Sequence, residues 1–360
     1  MLLLMMAALI LACVFLIIIL IVVCDEWNSS TMIPNASNAP HYASKWMQDF
    51  SSAPLNQLAM PGTHNSATYA IKWNSKVASD AEKGIVRSPI LRPFVKKWSK
   101  CQRYSILHQL EGGIRYLDVR AELTKDKEIW LTHALRSITF EGLAEQVRTF
   151  LYENSTELVI IDVNHVYAPD GVSLCSAHHE FILKEMIERL GGAQHIAMPS
   201  DDGLKPSSPL HEFIARGKRI VLVYDDVKVA TQLDVWTSRH IFSKWANHNS
   251  SHEVHGVAVQ SLMCRDVNDT QLHVSQLVAT PSQHDVIRGV WAPFTASPSN
   301  LIDFAATLTE EIAPEFVRDM RSHNLNIVLI DSFDPSNTRV IDAMLQHNRC
   351  RFHSGGSGAH

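Results

Sequence analysis

Short apolar runs of strand length, each closed by polar or turn residues, recur along residues 56–333. They are "NQLAM" (56–60), "IRYLDVRAEL" (114–123), "IWLTH" (129–133), "ELVIIDVN" (157–164), "RIVLVYD" (219–225), "VHGVAVQSL" (254–262), "VIRGVW" (286–291) and "LNIVLIDSF" (325–333). Helical patterns fall between many of them. "TFEGLAEQVRTFLYEN" places Phe140, Leu143, Ala144, Val147, Phe150 and Leu151 on one helix face. "HEFILKEMIERLGG" stops at a Gly pair, a common helix terminator. In "LIDFAATLTEEIAPEFVRDMRSHN", Pro314 must kink or split the helix, because it has no N–H and its ring crowds the preceding turn. Runs such as "VIIDV" are apolar without alternation, which suits a parallel sheet covered on both faces. Eight strands with interleaved helices predict an α/β fold, a distorted (β/α)8 TIM-type barrel forming a single domain. A doubly wound open sheet is the alternative, but no Gly-x-Gly-x-x-Gly follows the first strand.

The domain plan places this barrel over residues 51–350, after a polar linker (25–50) and an N-terminal apolar segment (1–24), with a Gly/Ser-rich disordered tail over 351–360. The first segment, "MLLLMMAALILACVFLIIILIVVC", is long enough to span a bilayer and has no polar face. Asp25 and Glu26 follow it, which favours a cytoplasmic amino end. As a signal peptide or a signal-anchor, it routes the body of the protein into the secretory pathway, as a secreted or a membrane-anchored barrel. Sequons at Asn28, Asn35, Asn154, Asn249 and Asn268 fit a glycoprotein on that route. Cys101, Cys175, Cys264 and Cys350 permit two disulfides in three pairings. The net charge of −5 gives no polycation for nucleic acid.

In such barrels the site lies at the carboxyl ends of the strands. His64 follows the first run. Asp118 and Arg120 are two apart and leave the same face of the second. His133 closes the third, Asp162 and Asn164 share a face at the end of the fourth, and Asp331 closes the last. Barrel closure brings Asp331 towards His64. Two imidazoles and a guanidinium suit phosphodiester cleavage: one His as base, the other as acid, and Arg on the phosphoryl oxygens. "HNSSHEVH" has spacings for a zinc site, but its Asn/Ser crowding favours a loop. His178 and His179 read as a solvated helix cap. Trp236 and Trp245 read as partly buried packing, with a lipid entrance as the alternative. Lys96 and Lys97 read as a solvated face.

"MPGTHNSATY", "QLEGGIRYLDVRAEL", "WLTHAL" and "ELVIIDVNHVY" resemble the X domain of phosphatidylinositol-specific phospholipases C. The likeness is strongest to X-domain-only proteins of the bacterial type. "DVWTSRHIFSKWANHNS" and "NLNIVLIDSFD" resemble later blocks of the same proteins, so the likeness spans about residues 50–348. The resemblance implies a distorted barrel that cuts an inositol phospholipid at a membrane surface into diacylglycerol and a cyclic inositol phosphate. It implies His64 as general base on the inositol 2-hydroxyl and His133 as general acid on the diacylglycerol oxygen. Arg120 would stabilise the phosphorane, Asp331 would pair with the base, and Asp118 would lie near the acid. Two positions depart from the bacterial pattern. Asn65 stands where bacterial relatives carry Asp. Calcium-dependent relatives do carry Asn there, but with an acidic residue in place of Arg120. A guanidinium and Ca²⁺ do not share one spot, so no metal cofactor is expected, and Asn65 is expected to donate to the phosphate or the 2-hydroxyl. Asn164 or His165 replaces a Lys of the fourth strand; with Asn65 they are the expected substrate-binding residues. The alternatives are a headgroup-binding barrel with weak catalysis, and a metal-dependent glycerophosphodiesterase.

Overall fold

The computed structural model describes residues 40–353, apart from 82–87, 89–90, 169–171, 201, 267, 293–294 and 296. The apolar segment 1–24, most of the linker, the sequons at Asn28 and Asn35 and nearly all of the tail lie outside the described residues. Among those described, no helix is long and apolar enough to cross a membrane.

Eight strands pair in parallel, side by side: β7 (Trp236–Thr237), β6 (Ile220–Tyr224), β5 (Val159–Tyr167), β2 (Tyr116–Leu123), β1 (Met60–Thr63), β10 (Ile327–Ile330), β9 (Leu272–Leu277) and β8 (Ile241–Lys244). β7 leads to β8 through one short turn, Ser238–His240, so the sheet curls into a nearly closed α/β barrel, as the pattern of strands and helices predicts. The last strand does lie against the first, Thr63 opposite Ile330.

The barrel does have eight staves, but three of the eight runs are not strands. "VHGVAVQSL" lies in the helix Ser251–Met263 and "VIRGVW" in the helix Gln283–Val290. Each begins after a Ser, and Ser282 closes a capping box with Asp285. The strands they displaced, β8 and β9, carry Ser, Gln, His and Lys among their apolar residues and so lack a clean apolar run. "NQLAM" is a turn; its strand begins at Met60. "IWLTH" is β3 (Ile129–His133), yet it is no barrel stave. It pairs antiparallel with the far end of β2 and with β4 (Leu135–Thr139), a hairpin folded over the rim.

The helix Phe140–Glu153 buries the six predicted side chains. Each large one is worth roughly 1.5–3 kcal/mol of apolar transfer. Pro314 does split its helix: Leu301–Thr307 passes through a π-turn, Leu308–Ile312, before Ala313–Asp319 resumes with the Pro in its first turn.

The domain starts earlier than residue 51. Trp46, Met47 and Phe50 are buried in the core. Beneath them Arg115, fully buried, pairs with Glu157 at 2.6 Å and donates to the carbonyls of Ser44, Leu110 and Ile114. Such a pair contributes little net stability by itself, but the loss of either partner strands a buried charge. Among the described cysteines Cys101 is buried and Cys175, Cys264 and Cys350 are exposed, and they form neither of the two possible disulfides.

Candidate active site

A cavity of about 500 Å³ opens at the carboxyl ends of the strands, and His64, Asp118, Arg120, His133, Asn164, His165 and Asp331 all line it. The catalytic and substrate-binding candidates thus converge, except Asn65, which lies buried just behind His64.

β1 delivers His64. Its backbone N–H donates to the Ile330 carbonyl at 2.9 Å, extending the ladder by one residue. The strand can approach β2 closely because Gly62 has no side chain; a Cβ there would lie 2.7 Å from Tyr116. The imidazole then meets Asp331, Nδ1 to Oδ1 at 2.9 Å. Thr309, in the π-turn, donates to the Asp331 carbonyl at 2.6 Å and helps to hold that carboxylate in place. Burial works against an imidazolium at His64, but the charge and hydrogen bond of Asp331 outweigh it and hold the group well above its ordinary value.

Asn65 answers differently from expectation. Its backbone is left-handed (φ 43°), which Asn tolerates better than most residues. That conformation turns its amide onto His64, Nδ2 to Nε2 at 2.9 Å, rather than into the cavity. Its backbone N–H donates to Asp118 Oδ2 at 3.2 Å, and Asn164 donates its amide to Asp118 Oδ1. Asp118 is therefore a scaffold on the His64 side, 3.9 Å from Nε2.

His133 arrives from the rim hairpin. The chain reverses at Ala134 in a left-handed conformation (φ 58°). The Ser99 carbonyl accepts from Nδ1 at 2.8 Å, which leaves Nε2 for the cavity. Burial, then Arg120 and His64, lower its pKa to about 3. The two rings stand edge to face with centroids 6.3 Å apart.

Arg120 hydrogen-bonds the Tyr167 side chain, while its Nε is buried without a partner among the described residues. On β5 the register slips so that Arg120 lies opposite His165. That bulge at Asn164 brings two consecutive residues to one cavity, which a regular strand does not do. Asp162 takes no part in the cavity lining. Tyr116 donates to it at 2.6 Å, and burial, with Asp118 and Asp225, raises its pKa to about 7.

Sequence reasoning missed Cys101, which lies between the two imidazoles. Its thiol is 3.6 Å from His133 Nδ1 and from the Asn65 amide. It sits on an irregular connection whose path only the fold defines. The weighed side features sort as follows. His252 and His255 stand on a helix, and His255 packs edge-on to Phe316. His178 does cap its helix, whereas His179 reaches the Tyr224 hydroxyl at 3.0 Å. Trp236 is fully buried packing; Trp245 is exposed and lines the cavity.

Fold and cavity together define a parallel α/β barrel with paired imidazoles and a guanidinium on its carboxyl rim. Residues 93–206 match the family described as phosphatidylinositol-specific phospholipase C, X domain, a segment that includes Asp118, Arg120, His133, Asn164 and His165. The resemblance read from the sequence therefore holds. The chain is 28% identical over 244 residues to human PI-PLC X domain-containing protein 2, covering 66% of this chain and 76% of the relative. It is 26% identical over 266 residues to the variant-surface-glycoprotein phospholipase C of Trypanosoma brucei brucei, covering 67% and 70% respectively. Its fold matches the phosphatidylinositol-specific phospholipase C of Listeria monocytogenes with a TM-score of 0.59 at 19% identity, over 85% of this chain and 98% of that one.

Proposed function

We propose that the chain is a phospholipase C-type phosphodiesterase that cleaves an inositol phospholipid by acid–base catalysis between His64 and His133. The observation that carries this reading is the single cavity in which both imidazoles and Arg120 meet, with Asp331 behind His64. His64 Nε2 takes the proton of the inositol 2-hydroxyl once the Asn65 amide gives way. The freed oxygen attacks phosphorus. His133 Nε2 protonates the departing diacylglycerol oxygen, and Arg120 offsets the charge gathering on the phosphoryl oxygens. The products are diacylglycerol and a cyclic inositol phosphate.

In the free protein the shared proton resides on His64, since Asp331 favours its cation while burial and Arg120 disfavour that of His133. The Asn65 amide then turns its oxygen, otherwise unpartnered among the described residues, to accept from Nε2–H. An incoming phosphodiester anion supplies the charge that draws a proton to His133, so the substrate itself primes the acid. Catalysis proceeds without a metal. Calcium calls for six to eight oxygen ligands, whereas both Asp118 oxygens already accept hydrogen bonds and Arg120 occupies the cavity wall. The donors present do not fit that ion.

Exposed Trp245, Ile287 and Trp291 lie on and beside the helix Gln283–Val290, whose Val286 lines the cavity. They would meet a lipid surface and bring the headgroup to the rim. In a secretory-pathway protein, the exposed Asn249 and Asn268 would carry glycans. Asn154 would not, since it is buried and its amide donates to the Phe150 carbonyl at 2.8 Å.

A second reading, a headgroup-binding barrel without useful turnover, draws on the Asn65 amide that covers the base nitrogen. Incubation with phosphatidylinositol vesicles separates the two. Diacylglycerol release lost in both His64→Ala and His133→Ala supports the enzyme. Binding without product at any calcium concentration supports the second reading.

A further inference from the structure

The proposed reaction leaves one buried nucleophilic group unused, the Cys101 thiol. A nitrogen of His64, the sulfur of Cys101 and a carboxylate oxygen of Asp331 lie within 4.8 Å of one another. Cys101 and Asp331 are fully buried. Asp331 spends Oδ1 on His64, but its Oδ2 has no hydrogen-bond partner among the described residues. A buried carboxylate oxygen left without a donor is costly, because nothing replaces the water it gave up. Beside a thiol and an imidazole, it completes a set of three donors awaiting an acceptor of electron pairs.

We propose that His64, Cys101 and Asp331 bind a thiophilic divalent cation of the zinc class, and that filling this site switches the reaction off. One nitrogen, one sulfur and one oxygen, with a water as fourth ligand, make the four-coordinate set that zinc favours. Calcium and magnesium avoid sulfur and demand more oxygens, so they do not compete. With metal–donor distances of about 2.0–2.3 Å, the three donors need to close in by only about 1 Å. His64 and Asp331 line the cavity, which gives the ion its entry. Coordination is proton exchange without oxidation: the Cys101 S–H proton leaves to solvent as the metal–sulfur bond forms, and any second proton on His64 leaves with it. Inhibition follows because the ion occupies the proposed base and its carboxylate at once. Only that last step rests on the proposed phospholipase activity; the binding does not.

The test uses zinc chloride and cobalt chloride as probes on the purified protein. Cys175, Cys264 and Cys350 are exposed, so the background is their triple Ser variant, which also carries Ser at the two N-terminal cysteines, Cys13 and Cys24. There, calorimetry should give one zinc per chain, unaffected by calcium, and cobalt should produce a near-ultraviolet thiolate-to-metal band. Cys101→Ser in that background should lose the band, and Asp331→Asn should weaken zinc binding. Absence of zinc binding in the triple variant, or a cobalt band that survives Cys101→Ser, overturns the site. Vesicle turnover is read separately. Zinc that binds without slowing diacylglycerol release overturns the switch. If the triple variant releases no diacylglycerol even before zinc is added, the phospholipase reading fails while the metal site stands.

Discussion

Replacement of Asp331 by Asn keeps the shape of the side chain and removes its charge. In the native protein its carboxylate, 2.9 Å from Nδ1, holds His64 well above the ordinary imidazole value. A hydrogen bond to a charged partner is worth about 1.5–3 kcal/mol. Its loss, with that of the charge, removes both contributions of Asp331 that raise His64, and burial then pushes the imidazole down. The kinetic consequence has a definite sign. The imidazole pair works with one proton between the two rings. Above the pKa of His64 both rings are neutral and no acid remains, so kcat/KM falls on the alkaline side as pH rises through that value. In Asp331→Asn this alkaline limb should move to lower pH, because the carboxylate that raises His64 is gone. The remaining rate should drop by about 10²–10⁴-fold, as the ring loses its orienting partner. The assay is the pH profile of diacylglycerol release from vesicles, paired with an NMR titration of His64. An unchanged alkaline limb, or a His64 that titrates at its ordinary value in the native protein, would refute the reasoning.

Three further outcomes are expected. Glu157→Ala leaves the Arg115 guanidinium buried and unpaired, which should cost about 3–5 kcal/mol, seen as a lower urea midpoint. Asp162 has its folded pKa raised from 3.8 to about 7, so the folded state holds a proton that the unfolded chain releases. Its contribution therefore erodes as pH rises between these values, by up to about 4 kcal/mol; Asp162→Asn should flatten that decline in denaturation curves measured from pH 4 to 8. Trp245→Ala with Ile287→Ala and Trp291→Ala should weaken vesicle binding, measured by sedimentation. Equal vesicle binding by the triple variant would place the lipid contact elsewhere.

The sequence by itself determined the class of fold and most of the rim. Unbroken apolar runs such as "VIIDV" can be buried only on two faces, and the spacing over 140–153 can form only one apolar helix face. Alternation along β2 aimed Asp118 and Arg120 at the same cavity. Local pattern failed where burial and pairing overrode it. The helices Ser251–Met263 and Gln283–Val290 contain runs that read as strands, while the short, polar β8 and β9 are strands because their neighbours supply the hydrogen bonds. Only the tertiary structure decided the environment of each site residue. A left-handed turn aims Asn65 at His64; a bulge in β5 brings both Asn164 and His165 to the cavity; a rim hairpin carries His133 there. Cys101 joins these residues from an irregular connection. Each depends on contacts between residues far apart in the chain, and such contacts also set where a proton rests: on His64, because a carboxylate 267 positions away closes the barrel beside it.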